Sequence, residues 1–379
     1  MRSCVVVPAR NDEATLAPLI SALARQRDLR GMLLDAASYE VVLLLNNCTD
    51  RTAEVARELQ QSYPRLRLHL AEVSFPPDEA HVGRARQALF DAAFDRFQFL
   101  DRPAGLILTT DADSRPAADW IAQNEAEIAE GVDGVGGRIL LEPAEQATLP
   151  KGVRRLFLLD IGYRRALEEL RSLYAPEAHD PFPRHHQHFG ASLAVTAAAY
   201  AKAGGMPLKR SSEDVALYRA MVESGARFRH SDRVRVFTSG RMIGRAEGGL
   251  ADAIGWWHAR ARDGAPVLVE SAAAAEARLL QLGLWCRDNP EEIPPDALVI
   301  TPDPPPSGQA AEIHATILAL RARIEALRPL SLAARRQCLS GIRKSWRGAL
   351  QAAAFANFGD LRFRKPDARK CGDLESAAP

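Results

Sequence analysis

Short continuous apolar runs alternate along the chain with stretches in which apolar residues recur every three or four positions. Residues 4–7 form the first run, stopped by Pro8, and residues 41–45 form the second. Residues 66–70 alternate like a third strand, and residues 106–110 run straight into Asp111-Ala112-Asp113. Residues 134–141 read as a further strand. Between these runs Leu16, Leu19, Ile20 and Leu23 mark one helical face, and Asp50 is placed to cap a helix over about 51–61. Residues 82–94 are helical, with Val82, Leu89 and Ala93 on one side, and Pro116 reads as the first turn of the next helix. Strands that are apolar throughout, separated by amphipathic helices, imply a sheet covered on both faces. The predicted fold class is α/β, a doubly wound and mostly parallel sheet.

The later chain reads as a helix over 151–175, a Pro- and His-rich loop over 180–188, and a strand over 190–195. A short helix over 196–203 ends at Gly204-Gly205, and a helix over 211–224 is closed by Gly225. Residues 227–238 read as strand and loop, and 248–262 as a helix. Prolines crowd residues 289–308, as in a linker. Beyond them Ile313, Ile317, Leu320, Ile324 and Leu327 follow a 4-3-4-3 spacing, little more than two heptads. A helical hairpin packed on the main domain explains that seam better than a dimerisation zipper. The expected organisation is a domain over 1–245, split into halves 1–115 and 116–245, and a helical region over 246–379. A basic tail with Arg362, Arg364 and Lys365 closes the chain.

Composition narrows the function classes. At 379 residues, 47% hydrophobic and 26% charged, the chain can bury a large core. A net charge of +1 gives no case for non-specific nucleic-acid binding. Cys4, Cys48, Cys286, Cys338 and Cys371 lack paired-ligand spacing and read as reduced thiols. No apolar run has the length of a membrane span, and Met1 leads almost directly into the first strand without a signal peptide. A cytoplasmic location is expected.

In a parallel sheet, ligands bind outside the carboxyl ends of the strands. Several polar constellations fall there. Pro8-Ala9-Arg10-Asn11-Asp12-Glu13 follows the first strand and can read a base or ribose, or simply cap a helix. Asn46-Asn47-Cys48-Thr49-Asp50 follows the second; Asn46 can pair with a nucleobase edge, while Thr49 and Asp50 suit a capping turn. His81-Val82-Gly83-Arg84-Ala85-Arg86 carries two guanidinium groups that can meet diphosphate oxygens. Asp111 and Asp113 suit a hard divalent cation, and a turn with one helix cap equally well. Ser211-Ser212-Glu213-Asp214 resembles a capping box, with a general base at a helix N-terminus as the functional alternative. His179, His185, His186 and His188 form an acceptor-site loop more readily than a zinc site, because no Cys or Glu joins them. Residues 241–249 hold Arg241 and Arg245 in a Gly-bounded loop that can meet phosphates or act as a connector.

The order of these motifs is more specific than any one of them. Over roughly residues 3–245 the chain resembles the family 2 glycosyltransferases. The resemblance implies the GT-A fold and transfer of a sugar from a nucleoside diphosphate to a hydroxyl, with Mg²⁺ or Mn²⁺. It implies that Pro8, Ala9, Arg10, Asp12 or Glu13, and Asn46 line the nucleoside pocket, with Arg86 near the diphosphate. It implies Asp111 near the ribose, Asp113 on the metal, and Asp214, with Glu213 beside it, at the catalytic-base position. His188, Arg241 and Arg245 are the further candidates for acceptor or phosphate contacts.

Asn46-Asn47 stands where many relatives carry an acidic pair; a UDP-sugar is the favoured donor and a GDP-sugar the alternative. The Gln-x-x-Arg-Trp of processive synthases and membrane helices are missing, so a non-processive transfer is expected; the resemblance implies inversion, although related enzymes that glycosylate phosphoglycerate retain configuration. The acceptor hydroxyl is not named by any motif, and a homodimer is the candidate assembly. A haloacid-dehalogenase-like phosphatase is the alternative enzyme, but it wants its Asp-x-Asp strand early and a Thr or Val where Arg115 stands. A non-catalytic sugar-nucleotide-binding protein is the other alternative, disfavoured by the joint presence of Asp113 and Asp214.

Overall fold

A computed structural model describes residues 1–241, 249–290, 292–330 and 332. Arg245, Cys338, Cys371 and the basic tail lie outside the described residues. Strands and helices alternate through the first half: β1 (Ser3–Ala9), α1 (Leu16–Ala24), β2 (Tyr39–Asn46), α2 (Thr52–Ser62), β3 (Leu68–Val73), α3 (Val82–Phe99) and β4 (Leu106–Thr109). Then come β5 (Ser114–Pro116), α4 (Trp120–Ala129), β6 (Gly134–Leu141), α5 (Pro143–Thr148), α6 (Lys151–Tyr174), β7 (Leu193–Thr196), α7 (Ala197–Lys202), α8 (Glu213–Glu223) and β8 (Phe228–Thr238). The remainder holds α9 (Leu250–Asp263), β9 (Leu268–Glu270), α10 (Ala272–Asp288), α11 (Asp296–Val299), β10 (Ala310–Glu312) and α12 (Ile313–Leu327).

Strands β1 to β8 form one sheet in the order β3-β2-β1-β4-β7-β6-β8-β5. The β3-β2-β1-β4 half is parallel, as the alternation of elements requires. β7 enters antiparallel between β4 and β6, and β5 pairs antiparallel with β8. Successive side chains of β1 feed opposite layers: Val5 and Val7 pack with Leu16, Leu19 and Ile20 of α1, while Cys4 and Val6 pack with Leu89, Phe90 and Phe97 of α3. That two-sided burial is why these strands are apolar throughout. Pro116 corrects its expected place: it ends β5, opposite Val236 of β8, and the next helix starts only at Trp120. An edge strand tolerates a residue with no N–H.

α6 carries the C-terminal helices. Val153 and Phe157 pack with Ile254 and Trp257 of α9, and α10 and α12 also lie against α6. All five residues of the 4-3-4-3 seam are buried. Among the described residues no helix is long and apolar enough to cross a membrane.

Candidate active site

The carboxyl ends of β2, β1 and β4 lie side by side, and the loops leaving them are tied together. Asn11, in the left-handed region at φ +55°, accepts a hydrogen bond from Thr49 N (2.8 Å) and donates to Thr49 Oγ1 (3.1 Å). Asp12 N donates to Thr52 Oγ1 (2.7 Å), and Arg51 N donates to Glu13 Oε2 (2.9 Å). Asp50 accepts from Thr52 N (3.0 Å) but lies one residue before the N-cap of α2, which is Arg51 and has no side-chain cap bond, so the expected cap at Asp50 shifts by one position. The polar residues after β1 and β2 therefore brace one loop against the other. Pro8 and Ala9 occupy the last positions of β1, and Arg10 reaches across to Ala80 O (2.7 Å). The two adjacent asparagines divide: Asn47 is paired with the backbone of Phe75 on both amide atoms, while Asn46 is buried with no partner for Oδ1 among the described residues. Thr109 Oγ1 and Thr110 Oγ1, at the end of β4, are likewise buried and unpartnered.

Arg86 organises the centre. It is buried on α3, and Nη2 donates to Asp111 Oδ1 at 2.6 Å while Nη1 pairs with Glu213 Oε1. The expected diphosphate contact is thus a guanidinium already holding two carboxylates. Burial alone would lower the Arg86 pKa, but Glu213, Asp111 and Asp214 together raise it. Lost hydration outweighs the pull of Arg86 at both of its partners and pushes Asp111 and Glu213 above the usual carboxylate range. Asp214 lies one residue further on. Its Oδ2 accepts from Gly190 N at 2.6 Å and its Oδ1 from Val215 N at 2.7 Å. A Cβ on Gly190 would strike the Arg86 guanidinium, so the glycine is needed for close approach. Ser212, just before the pair, is the N-cap residue of α8, at φ +59° and with no cap bond from its side chain, while the two oxygens of Asp214 are taken by Gly190 N and Val215 N.

Asp113 Oδ2 lies 2.7 Å from Arg241 Nη2, a guanidinium whose charge also acts on Asp111. The Gly-bounded polar loop marks Arg241 only loosely; its pairing with Asp113 spans the end of β4 and the segment after β8. Among the described residues no three His, Cys, Asp or Glu side chains gather as a metal-ligand set.

The histidines form a second polar cluster on the acceptor half. Asp180 Oδ1 accepts from Arg229 Nη1 (2.8 Å) and His230 N (2.9 Å), and its Oδ2 lies 2.9 Å from His230 Nδ1. Burial would raise the Asp180 pKa, but His230 and Arg184 hold it well below the ordinary range. His230 Nε2 is 3.4 Å from His188 Nδ1, and the His188 ring stacks on Tyr218 of α8 with centroids 3.9 Å apart. His185 accepts from Gln187 N at Nδ1 (3.0 Å), so its Nε2–H donates to Ser231 O (3.1 Å). It is buried and neutral, its pKa depressed to about 3 by lost hydration and by His230. Asp180, Arg184, Arg229 and His230 were not singled out in the sequence. Two arginines and a histidine turned towards one carboxylate across the 180–188 loop and β8 leave no local spacing signal.

Residues 4–182 match the profile described as glycosyl transferase family 2. A comparison with curated proteins gives no match. Among solved structures, the 1–349 fragment of S. aureus TarS in complex with UDP-GlcNAc is 14% identical, with a TM-score of 0.47 over 91% of this chain and 92% of that one. A mannosyltransferase from Pyrobaculum calidifontis, PcManGT in complex with GDP-Man and Mn²⁺, is 18% identical, with a TM-score of 0.45 over 93% of this chain and 79% of that one. A longer S. aureus TarS structure is 16% identical with a TM-score of 0.43, and 69% of this chain spans only 43% of it. The stretch similar to glycosyl transferase family 2 is therefore residues 4–182, from β1 to the loop that follows α6.

Proposed function

We propose that this enzyme transfers one sugar residue from a nucleoside-diphosphate donor to a hydroxyl acceptor, by inversion and with a divalent cation. The observation that carries the reading is the Arg86 bridge, because it ties the Asp-x-Asp strand end to the first turn of α8 at the carboxyl edge of the sheet. The donor nucleoside lies along Pro8, Ala9, Arg10 and Asn46, where the orphaned Oδ1 of Asn46 can accept from a base N–H. Asp111 faces the ribose. A UDP-sugar is favoured over a GDP-sugar.

The residues fit a hard cation. Mg²⁺ or Mn²⁺ commonly takes one or two protein carboxylates and completes its shell with phosphate oxygens and water. Asp113 would hold it, its Oδ2 already facing the positive charge of Arg241. When bound, the metal offsets charge on the departing diphosphate as a Lewis acid. Asp214 acts as the base, oriented by the Gly190 and Val215 N–H groups. The acceptor oxygen forms its bond to the anomeric carbon, the bond to the diphosphate oxygen breaks, and the hydroxyl proton passes to Asp214. Glu213 is a positioning residue in this scheme, because its carboxylate is paired with Arg86. The stacked His188 and Tyr218 lie one turn of α8 beyond Asp214 and line the acceptor side.

The test is release of nucleoside diphosphate from a panel of nucleotide sugars, with and without Mn²⁺. Metal-dependent release from one donor, lost in Asp113→Ala and Asp214→Asn, is expected. Release of inorganic phosphate from monoesters, or no metal-dependent nucleotide turnover with any donor, would overturn the reading.

A further inference from the structure

Because β3, β2, β1 and β4 are parallel neighbours, the segments that precede them lie side by side at the edge opposite the candidate active site. At usual strand spacing this edge is about 15 Å across. Arginines concentrate there. Arg25, Arg27 and Arg30 lie before β2, Arg65 and Arg67 before β3, and Arg102 before β4; all six are exposed. Arg2, before β1, is paired with Glu125 (3.2 Å). The same segments carry three carboxylates, Asp28, Asp35 and Asp101. In a chain whose net charge is +1, this edge is locally basic.

The edge also exposes large apolar side chains. Leu29 is 58% exposed, Met32 67%, Leu33 53%, and Phe99, at the end of α3, 84%. The loop that presents the first three is firmly built. Asp28 N donates to Met32 O (2.7 Å), and the Asp28 carboxylate accepts from Arg30 N (2.9 Å) and Met32 N (2.8 Å). Gly31 takes φ +80°, Leu34 N donates to Gln26 O (2.8 Å), and Arg27 N is anchored on Ala118 O (2.6 Å). A turn held by this many hydrogen bonds while pointing leucine and methionine at water is shaped to meet another surface.

We propose that this edge docks the enzyme on an anionic lipid membrane. Arginines attract the negative headgroups, and the exposed Leu29, Met32 and Leu33 enter the region beneath them. A nucleic acid or other polyanion would answer the arginines but would gain nothing from Leu29, Met32 and Leu33. The candidate active site, at the opposite edge, then faces away from the bilayer and receives its substrates from solution. This inference does not depend on the transfer reaction proposed above.

Co-sedimentation of the full chain with vesicles tests it. Phosphatidylcholine vesicles containing phosphatidylglycerol are expected to pull the protein down, and phosphatidylcholine alone is not. Raising the salt well above physiological strength should release it, because the Debye length contracts below ~8 Å. Reversing three cations (Arg25→Glu, Arg30→Glu, Arg67→Glu) should weaken partitioning roughly tenfold or more. The triple change Leu29→Ser, Met32→Ser, Leu33→Ser should also reduce it, with no change in thermal unfolding, since all three residues are exposed. Failure of the unmodified protein to bind anionic vesicles overturns the proposal. So does salt-sensitive binding that ignores the apolar substitutions, which marks a general polyanion site. Self-association abolished by the same substitutions, without vesicle binding, overturns it in favour of an interface between copies.

Discussion

Gly190 and Asp214 are joined by a 2.6 Å hydrogen bond from backbone N–H to carboxylate, and the bare α-carbon of Gly190 faces the guanidinium of Arg86. One residue thereby orients the proposed base and makes room for the cation that holds the neighbouring Glu213. The loop before β7 and the first turn of α8 are coupled through that contact.

Gly190→Ala is accordingly expected to push Arg86 off its two carboxylates. A displacement on the order of 1 Å at such a site lowers turnover roughly 100-fold. Release of nucleoside diphosphate gives the rate, and urea unfolding separates misplacement from collapse. If the variant keeps full turnover, the Gly190–Arg86 contact has no bearing on the reaction.

The ion pair between Asp113 and Arg241 makes a separate prediction. If Asp113 holds the metal, Arg241 and the cation compete for one carboxylate. Arg241→Ala should then bind Mn²⁺ at least as tightly as the parent, and Asp113→Asn should bind it much more weakly. Electron paramagnetic resonance of free Mn²⁺ measures both without needing a donor. Weaker Mn²⁺ binding in Arg241→Ala than in the parent would contradict the competition.

The acceptor-half histidines set a pH dependence of stability. His185, His186 and His188 all have pKa values lowered in the folded chain, chiefly by lost hydration. A depressed histidine pKa means that the unfolded chain binds more protons below about pH 6.5. Their contribution is therefore complete above that pH and is lost as pH falls towards the folded values. Buried His185 alone accounts for about 1.4 kcal/mol per pH unit between about pH 6.5 and its folded value of about 3. Asp180, held low, adds loss of the same sign below its ordinary range, while the raised Asp111 and Glu213 act in the opposite sense above theirs. Urea midpoints should fall steadily from pH 7 to pH 5, and His185→Gln should flatten the slope. A midpoint independent of pH over that window would show that these rings are not neutral by burial.

Much of this protein was legible in its residues alone. Apolar runs at residues 4–7, 41–45 and 106–109 determined β1, β2 and β4, because burial on both faces of a sheet leaves a continuous local signature. The placement of Asp111 and Asp113 after β4 followed directly, as did the buried seam from Ile313 to Leu327 on α12. The antiparallel entry of β7, the confinement of Pro116 to an edge strand, and the partners of the charged groups did not follow. Arg86 pairs with Asp111 and with Glu213, 25 and 127 residues away, and Asp113 meets Arg241 only after the whole sheet has closed. Periodicity records which face of an element is dry; it does not record which distant charge will share a desolvated space. That choice belongs to the tertiary structure, where the cost of burying a charge forces each guanidinium onto whatever carboxylate the packing brings within reach.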